Sequence, residues 1–154
     1  MREYEDFISE ESKSWLEHIG QLESRIESCG RMMEIVGNLA EPKGIDYSNI
    51  PGTGINKDAL ADAVALKDEL ASAWRDERMR LMSELDEALG IIYRLDSNQC
   101  AVLLYRYIAH MEWSEVADSI GYSEDHCYRL HRSALLSVHR FLPSMWRTEF
   151  PKAT

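Results

Sequence analysis

The first forty residues carry a heptad pattern of apolar positions. These positions recur at alternating spacings of four and three, with one polar interruption: Ile8, Ser12, Trp15, Ile19, Leu22, Ile26, Cys29, Met33, Val36 and Ala40. A narrow apolar stripe with charged flanks is typical of a long helix that pairs with another helix in coiled-coil fashion. The pattern leaves two partners open, a second helix of the same chain or a helix of another copy.

Residues 41–56, EPKGIDYSNIPGTGIN, interrupt this pattern with two prolines and three glycines. Such punctuation predicts a loop. The loop is long for a connection between two helices, so it is either a plain surface loop or an ordered segment that contacts a partner. A second long helix is then expected from about residue 57 to about residue 95. Residues 1–94 would therefore form an all-α, coiled-coil-like helical hairpin.

Residues 95–143 predict a helix-turn-helix behind a supporting helix. Asp96 or Ser97 would cap the supporting helix, SNQCAVLLYRYIAHM. A short amphipathic helix follows over 113–120, and Gly121 is expected to end it because glycine adopts a left-handed conformation easily. Ser123 is a favourable N-cap for the last helix.

The last helix is expected to run until Pro143, which cannot continue it. Its predicted inward stripe consists of Cys127, Leu130, Ala134, Leu135, Val138 and Leu142. A small residue at Ala117, Gly121 four residues later and an apolar residue at Cys127 form the spacing that lets two helices cross at a short turn. The tail, residues 144–154, either covers an end of the core with Trp146 and Phe150 or is disordered.

The charge of the chain is uneven. The 154 residues carry a net charge of −10, which by itself argues against a nucleic-acid partner. Residues 94–154 contain seven basic and seven acidic residues, so the whole acidic surplus lies in residues 1–93. This division indicates an acidic arm attached to a neutral head.

Several classes of protein are not expected. The acidic amino terminus has no apolar signal-peptide core, and no apolar run reaches the ~18 residues of a membrane span. The three cysteines fall on apolar stripes, as core residues in a reducing cytoplasm do. Cys127 and His131 have no second pair of ligands for zinc, and no catalytic arrangement stands out. We therefore expect no metal, no cofactor and no enzyme.

The block from Leu95 to Leu142 resembles sigma-factor region 4, the domain that reads the promoter −35 element. The resemblance rests on Leu95, Leu103, Tyr107, the segments WSEVA at 113–117 and IGYS at 120–123, and Ala134-Leu135. The upstream segment DYSNIPGTGINKDALADAV resembles the linker of phage-encoded transcriptional regulators of the RinA/ArpU late-activator type. Together the two resemblances cover most of residues 43–142.

The resemblance implies that the last helix enters the major groove of double-stranded DNA. Carried over by position, its DNA-contacting face is Ser123, Glu124, Asp125, His126, Tyr128, Arg129 and Arg132. Arg129 would contact guanine, or else form a salt bridge with Asp125. Glu124 would accept from a cytosine amino group, or simply stabilise the first turn.

Other members of this face, and some residues near it, are expected to contact mainly the DNA backbone in this interpretation. Ser123 is a cap first and a phosphate donor second, while Tyr128 and Arg132 suit phosphate contacts. His126 and His131 would contact phosphates or bases, and would add charge when protonated. Arg106 and Trp113 would touch the DNA backbone, with a place in the core as the alternative for Trp113.

The start of the last helix, Glu124-Asp125-His126, is less basic than in region-4 domains, so a homo-oligomer or host RNA polymerase is expected to supply affinity. The resulting hypothesis is a phage or prophage late-gene activator in the cytoplasm of a bacterial host cell. Two alternatives remain. One is a DNA-packaging small terminase-like subunit, although there the DNA-binding part usually comes first in the chain. The other is an acidic helical interaction protein that does not bind DNA.

Overall fold

A computed structural model describes residues 1–39 and 57–152, and within these ranges the regular secondary structure consists of helices joined by turns, without strands. Six α-helices follow one another in the described chain: α1 (Arg2–Gly20), α2 (Leu22–Asn38), α3 (Lys57–Ile92), α4 (Ser97–Leu103), α5 (Trp113–Ile120) and α6 (Glu124–Val138). The all-α prediction is confirmed. The predicted loop at 41–56, and Ala40 before it, lie outside the described residues.

The predicted first helix is divided at Gln21. The amide of Gln21 donates to the carbonyls of His18 and Ile19, which closes α1 with a tight last turn. The heptad stripe runs through both α1 and α2, and its buried members are Ser12, Trp15, Ile19, Leu22, Cys29 and Val36. Since this stripe is buried within a single chain, its helical partner lies in the same chain.

Two compact units make up the chain. The first combines Met1–Glu23 with Glu84–Thr154, and the second is Ser24–Ser83. The sequence-based division into 1–94, 95–143 and 144–154 differs from this partition, because α1 packs on α6 rather than extending an independent hairpin. Ser12, the polar interruption of the heptad stripe, is fully buried and donates from Oγ to the carbonyl oxygen of Leu135 at 2.8 Å.

The core of the first unit forms where α1, α4, α5 and α6 meet. Its fully buried side chains include Leu16, Ile19, Leu103, Val116 and Val138. The inward stripe predicted for α6 is confirmed: Cys127, Ala134, Leu135, Val138 and Leu142 are buried, and Leu130 is half-buried. The helix itself does not run until Pro143, because α6 ends at Val138 and a 3-10 turn over His139–Phe141 leads to Leu142.

The supporting helix differs from its predicted form. Asp96 caps α4 as predicted, accepting from the amide of Gln99 at 2.9 Å. The chain then widens into a π-helical turn at Leu104–Ile108 instead of continuing as an α-helix to Met111. Gly20 lies against this turn so closely that a Cβ there would be 2.5 Å from the carbonyl oxygen of Tyr107. The glycine therefore permits the close approach of α1.

The tail packs on α1. The ring of Phe150 meets those of Tyr4 and Phe7 edge to face, at centroid distances of 5.5 and 5.3 Å. Glu11 accepts hydrogen bonds from Thr148 and from the ring of His139. Burial of the Glu11 carboxyl opposes ionisation, but these hydrogen bonds outweigh it and hold the pKa of that carboxyl below its usual range. Of the two alternatives for the tail, the covering role is the one observed.

The second unit contains most of α2 and of α3. Within it, the guanidinium of Arg25 lies 3.7 Å from the Glu77 carboxylate, which also accepts two hydrogen bonds from Arg80. No helix in the described part of the chain is long and apolar enough to cross a membrane.

Candidate nucleic-acid interface

The first helix of the candidate interface, α5, is fixed at both ends. At its start, the Glu115 side chain accepts from the amide of Glu112 at 3.0 Å, which satisfies a donor that the helix leaves free. At its end, Gly121 has φ 85° and ψ 27°. The amides of Gly121 and Tyr122 both donate to the carbonyl of Ala117, at 2.8 and 3.2 Å. The predicted glycine stop is confirmed.

Ser123 connects the turn to α6. Its hydroxyl accepts from the amide of His126 at 3.2 Å, so it caps the helix as predicted. Beneath the turn, Val116, Ala117 and Cys127 are buried together. Ala117 and Cys127, with Gly121 between them, are the residues whose spacing predicted a close crossing of two helices, and Val116 completes the buried cluster.

The seven predicted DNA-contacting residues share the outward side of the first three turns of α6. Ser123, Glu124, Asp125, Tyr128, Arg129 and Arg132 are exposed, and His126 is half-buried. Side chains on this side alternate with the inward residues Cys127 and Leu130 at helical spacing. The outward side is therefore a continuous surface, and its first turn is acidic.

Arg129 is the cation on this surface that has no carboxylate partner among the described residues. Its Nε lies 3.4 Å from the carbonyl oxygen of Asp125, and the salt bridge to the Asp125 carboxylate that the sequence allowed is not formed. A guanidinium held only by a long contact to a backbone oxygen keeps most of its donors for a ligand.

Arg132 is engaged by α1. Its Nη2 lies 3.3 Å from a carboxylate oxygen of Asp6 and 3.6 Å from one of Glu5. The Arg132 side chain is 51% exposed, so the contact is at the surface and weak by the standards of such pairs. Nevertheless, two carboxylates stand where the sequence interpretation placed a DNA phosphate. Sequence analysis did not assign Glu5 or Asp6 to the interface, because their proximity to Arg132 depends on the packing of α1 against α6.

Aromatic rings support the outward surface. The ring of His126 packs on Tyr122 at a centroid distance of 4.5 Å, and that of Tyr128 packs on Trp113 at 4.9 Å. Tyr122 is an exposed residue of the turn that was missed as a candidate contact. Its place directly after Gly121 is the sequence signal that would have identified it.

His131 belongs to the interior side of α6 rather than to the outward surface. Its Nε2 is 2.7 Å from the hydroxyl of Tyr107, and the ring of Trp113 meets it edge to face. Burial, with further contributions from Lys13 and Arg106, lowers the pKa of His131 to about 4. The expectation that a protonated His131 adds positive charge near neutral pH is therefore wrong for the folded protein. Burial likewise raises the pKa of Tyr107 to about 12.

Arg106 braces the segment that leads into α5. Its Nη1 donates to the carbonyl of Met111 at 2.8 Å, and its guanidinium lies over the ring of Trp113 at 4.9 Å. A carboxylate oxygen of Glu112 is 3.9 Å away. These contacts give Arg106 a structural position, and Trp113 is half-buried beside it.

Within residues 1–39 and 57–152, no cluster of three or more histidine, cysteine or acidic side chains is arranged to hold a metal ion. No family model matches this chain, and searches of curated proteins and of solved structures found no match. Its function is therefore inferred from its own residues and geometry.

Proposed function

We propose that this protein is a sequence-specific DNA-binding transcriptional regulator that inserts the first three turns of α6 into the major groove. The observation that carries the proposal is the outward side of α6, which follows the turn at Gly121. This side is exposed and continuous, and Arg129 on it has no carboxylate partner in the part of the chain that the structure describes. A helix of this kind fits the width of the major groove. The sequence resemblance to sigma-factor region 4 and to phage late activators supports the same proposal.

Four residues of the surface have a defined task in this proposal. Arg129 donates two hydrogen bonds to O6 and N7 of a guanine, and Glu124 accepts from a cytosine amino group. The Ser123 oxygen is committed to the helix cap, so its hydroxyl proton is what remains for a phosphate. Tyr128 contacts the DNA backbone and positions the helix without reading sequence.

Affinity is expected to be modest for a single copy. Two acidic side chains occupy the first turn of α6, and Arg132 is already paired with Glu5 and Asp6. Few phosphates are then neutralised, so the salt-dependent part of binding is small. We propose that a second copy, or host RNA polymerase, supplies the remaining affinity by holding two weak contacts together.

The test begins with unbiased recovery of the target. The protein is immunoprecipitated from its host, the bound DNA is sequenced, and an enriched site is used as a labelled duplex. Binding is measured by fluorescence anisotropy at low and moderate salt. Arg129→Ala is expected to weaken binding about tenfold or more and to relax the preference for one base pair, as loss of a bidentate contact does.

Arg140→Ala is the matched control. Arg140 is an exposed cation in the short 3-10 helix that follows α6. Its removal changes the net charge by the same amount but leaves the proposed reading surface intact, so a change of about threefold or less, equal for all sequences, is expected. If Arg129→Ala binds the enriched site as tightly as the wild type does, α6 is not the reading element.

A second candidate, an acidic interaction protein that does not bind DNA, is favoured by one observation. Glu5 and Asp6 neutralise Arg132 on the surface that would meet DNA, and the chain as a whole has a net charge of −10. Recovery of RNA polymerase from the host without any enriched DNA site would support this candidate over the first.

A further inference from the structure

The amino-terminal half of α3 carries a second apolar stripe that the described residues of its own chain leave exposed. The stripe consists of Ala59, Ala63, Leu66, Leu70 and Ala73, at spacings of four, three, four and three. All five side chains are exposed, with Leu66 at 56% and Leu70 at 44%. The adjoining stripe of the same helix becomes half-buried at Lys67, Ala71 and Trp74, whereas Leu60 and Val64 at its start are exposed as well.

This spacing is that of a coiled-coil seam, so the complementary surface is another helix. Within the described residues, the heptad stripe of α1 and α2 is already buried or half-buried. The exposed stripe on α3 therefore has the form of an interface with a second molecule, and its three alanines, beside Leu66 and Leu70, allow two backbones to approach closely.

The charges that flank the stripe select the partner and its direction. Asp62 and Glu69 lie along one edge, and Lys67 lies along the other. In an antiparallel pair of identical helices, Asp62 of one copy would face Glu69 of the other and the two Lys67 side chains would face each other. In a parallel pair, Asp62 of each copy faces Lys67 of the other. Flanking charges of this kind set the orientation of coiled coils.

We propose that residues 59–73 of α3 form a parallel, two-stranded coiled coil with the same residues of a second copy. The interface is distinct from the amino-terminal heptad stripe, which the sequence pattern alone would suggest as the site of self-association. Two heptads are a short seam, so the association is reversible and depends on protein concentration. The proposal does not depend on DNA binding.

The first experiment is sedimentation velocity of the full-length protein without DNA, from about 1 μM to about 500 μM, a range that covers weak dimers. The wild type is expected to shift from monomer to dimer. The double variant Leu66→Glu/Leu70→Glu is expected to raise the dissociation constant about a hundredfold or more, because two apolar side chains of the seam become charged.

Met79→Glu is the matched control. Met79 is 64% exposed on the same helix but lies off the stripe, so this variant is expected to dimerise as the wild type does. Circular dichroism checks that all three proteins keep the same helix content. A wild type that stays monomeric throughout the range, or a double variant that dimerises like the wild type, overturns the proposal.

Charge reversal tests the direction of the pair. Asp62→Lys is expected to weaken the dimer about twofold to fivefold, because it places two lysines opposite each other, and Asp62→Lys/Lys67→Asp is expected to restore it. In an antiparallel pair the single variant would instead face Glu69 and strengthen the dimer, so a tighter dimer in Asp62→Lys overturns the parallel arrangement. These outcomes concern association alone and leave the DNA-binding proposal to its own test.

Discussion

The two sides of α6 differ in how much of their chemistry is committed to the fold. On the inner side, Leu135 accepts from the buried Ser12, and His131 bonds to Tyr107. On the outer side, Arg129 makes one long contact to a backbone carbonyl. The inner side of this helix thus makes hydrogen bonds to other helices, whereas the Arg129 guanidinium on its outer side keeps hydrogen-bond donors available for a ligand. The comparison indicates which substitutions should change stability and which should change binding.

The largest expected effect comes from the inner histidine. The pKa of His131 is lowered from 6.5 to about 4 in the folded state, so the unfolded chain takes up a proton first as the pH falls. The stabilisation is complete above pH ~6.5 and is lost as the pH falls towards ~4, by up to about 3 kcal/mol. Urea denaturation of the wild type at several pH values measures this slope.

His131→Gln keeps a polar side chain beside Tyr107 but cannot be protonated, so it should flatten the slope between pH 6.5 and 4. His126→Gln, on the outer side of the same helix, is the matched control and should keep the wild-type slope. An unchanged slope in His131→Gln would mean that the inner side of α6 does not have the buried, neutral histidine described above.

The next effect concerns the close approach of α1. Gly20→Ala places a Cβ 2.5 Å from the backbone carbonyl of Tyr107, so the free energy of unfolding should fall by about 1–3 kcal/mol. Gly90→Ala is the control, because a Cβ at Gly90 meets nothing within 4 Å and should stabilise the helix by about 0.5–1 kcal/mol. Thermal and urea denaturation measure both. Equal effects at the two glycines would show that helix propensity alone governs Gly20.

The smallest effect concerns the outer surface. Glu5→Gln/Asp6→Asn removes the carboxylates beside Arg132 and should raise affinity for the target DNA about threefold to tenfold at low salt, with a smaller gain at higher salt. Glu27→Gln/Glu34→Gln removes the same charge from exposed positions of α2. Anisotropy titrations of the two variants separate a local effect on Arg132 from a general change in net charge. Identical gains would contradict the local effect.

Local signals in the sequence predicted much of the first unit. The cap at Ser123, the stop at Gly121 and the inward stripe of α6 each depend on a few neighbouring residues with strong conformational preferences, and all three are confirmed. The heptad stripe of α1 and α2 also matches the observed burial. The spacing of residues along the chain is sufficient to predict these features, and no knowledge of the tertiary structure is needed.

The features that were missed depend on tertiary contacts. Nothing near Ser12 in the sequence indicates that its hydroxyl meets Leu135, and nothing near Arg132 indicates Glu5 and Asp6. His131 was expected to contact phosphates or bases and to add charge when protonated. Its interior position results from contacts with Tyr107 on the π-helical turn at Leu104–Ile108 and with Trp113 at the start of α5. Each error concerns a polar side chain whose partner lies on another helix.

The hydrogen bond from Ser12 to Leu135 spans 123 positions of the chain, and the contact of Glu11 with His139 spans 128. During synthesis α1 therefore leaves the ribosome well before α6, and its buried face stays uncovered until α6 follows. Contacts so distant in sequence make for slow folding, and chains truncated before residue 139 would leave the apolar side of α1 uncovered. Such incomplete chains are expected to be targets for chaperones and proteases during synthesis.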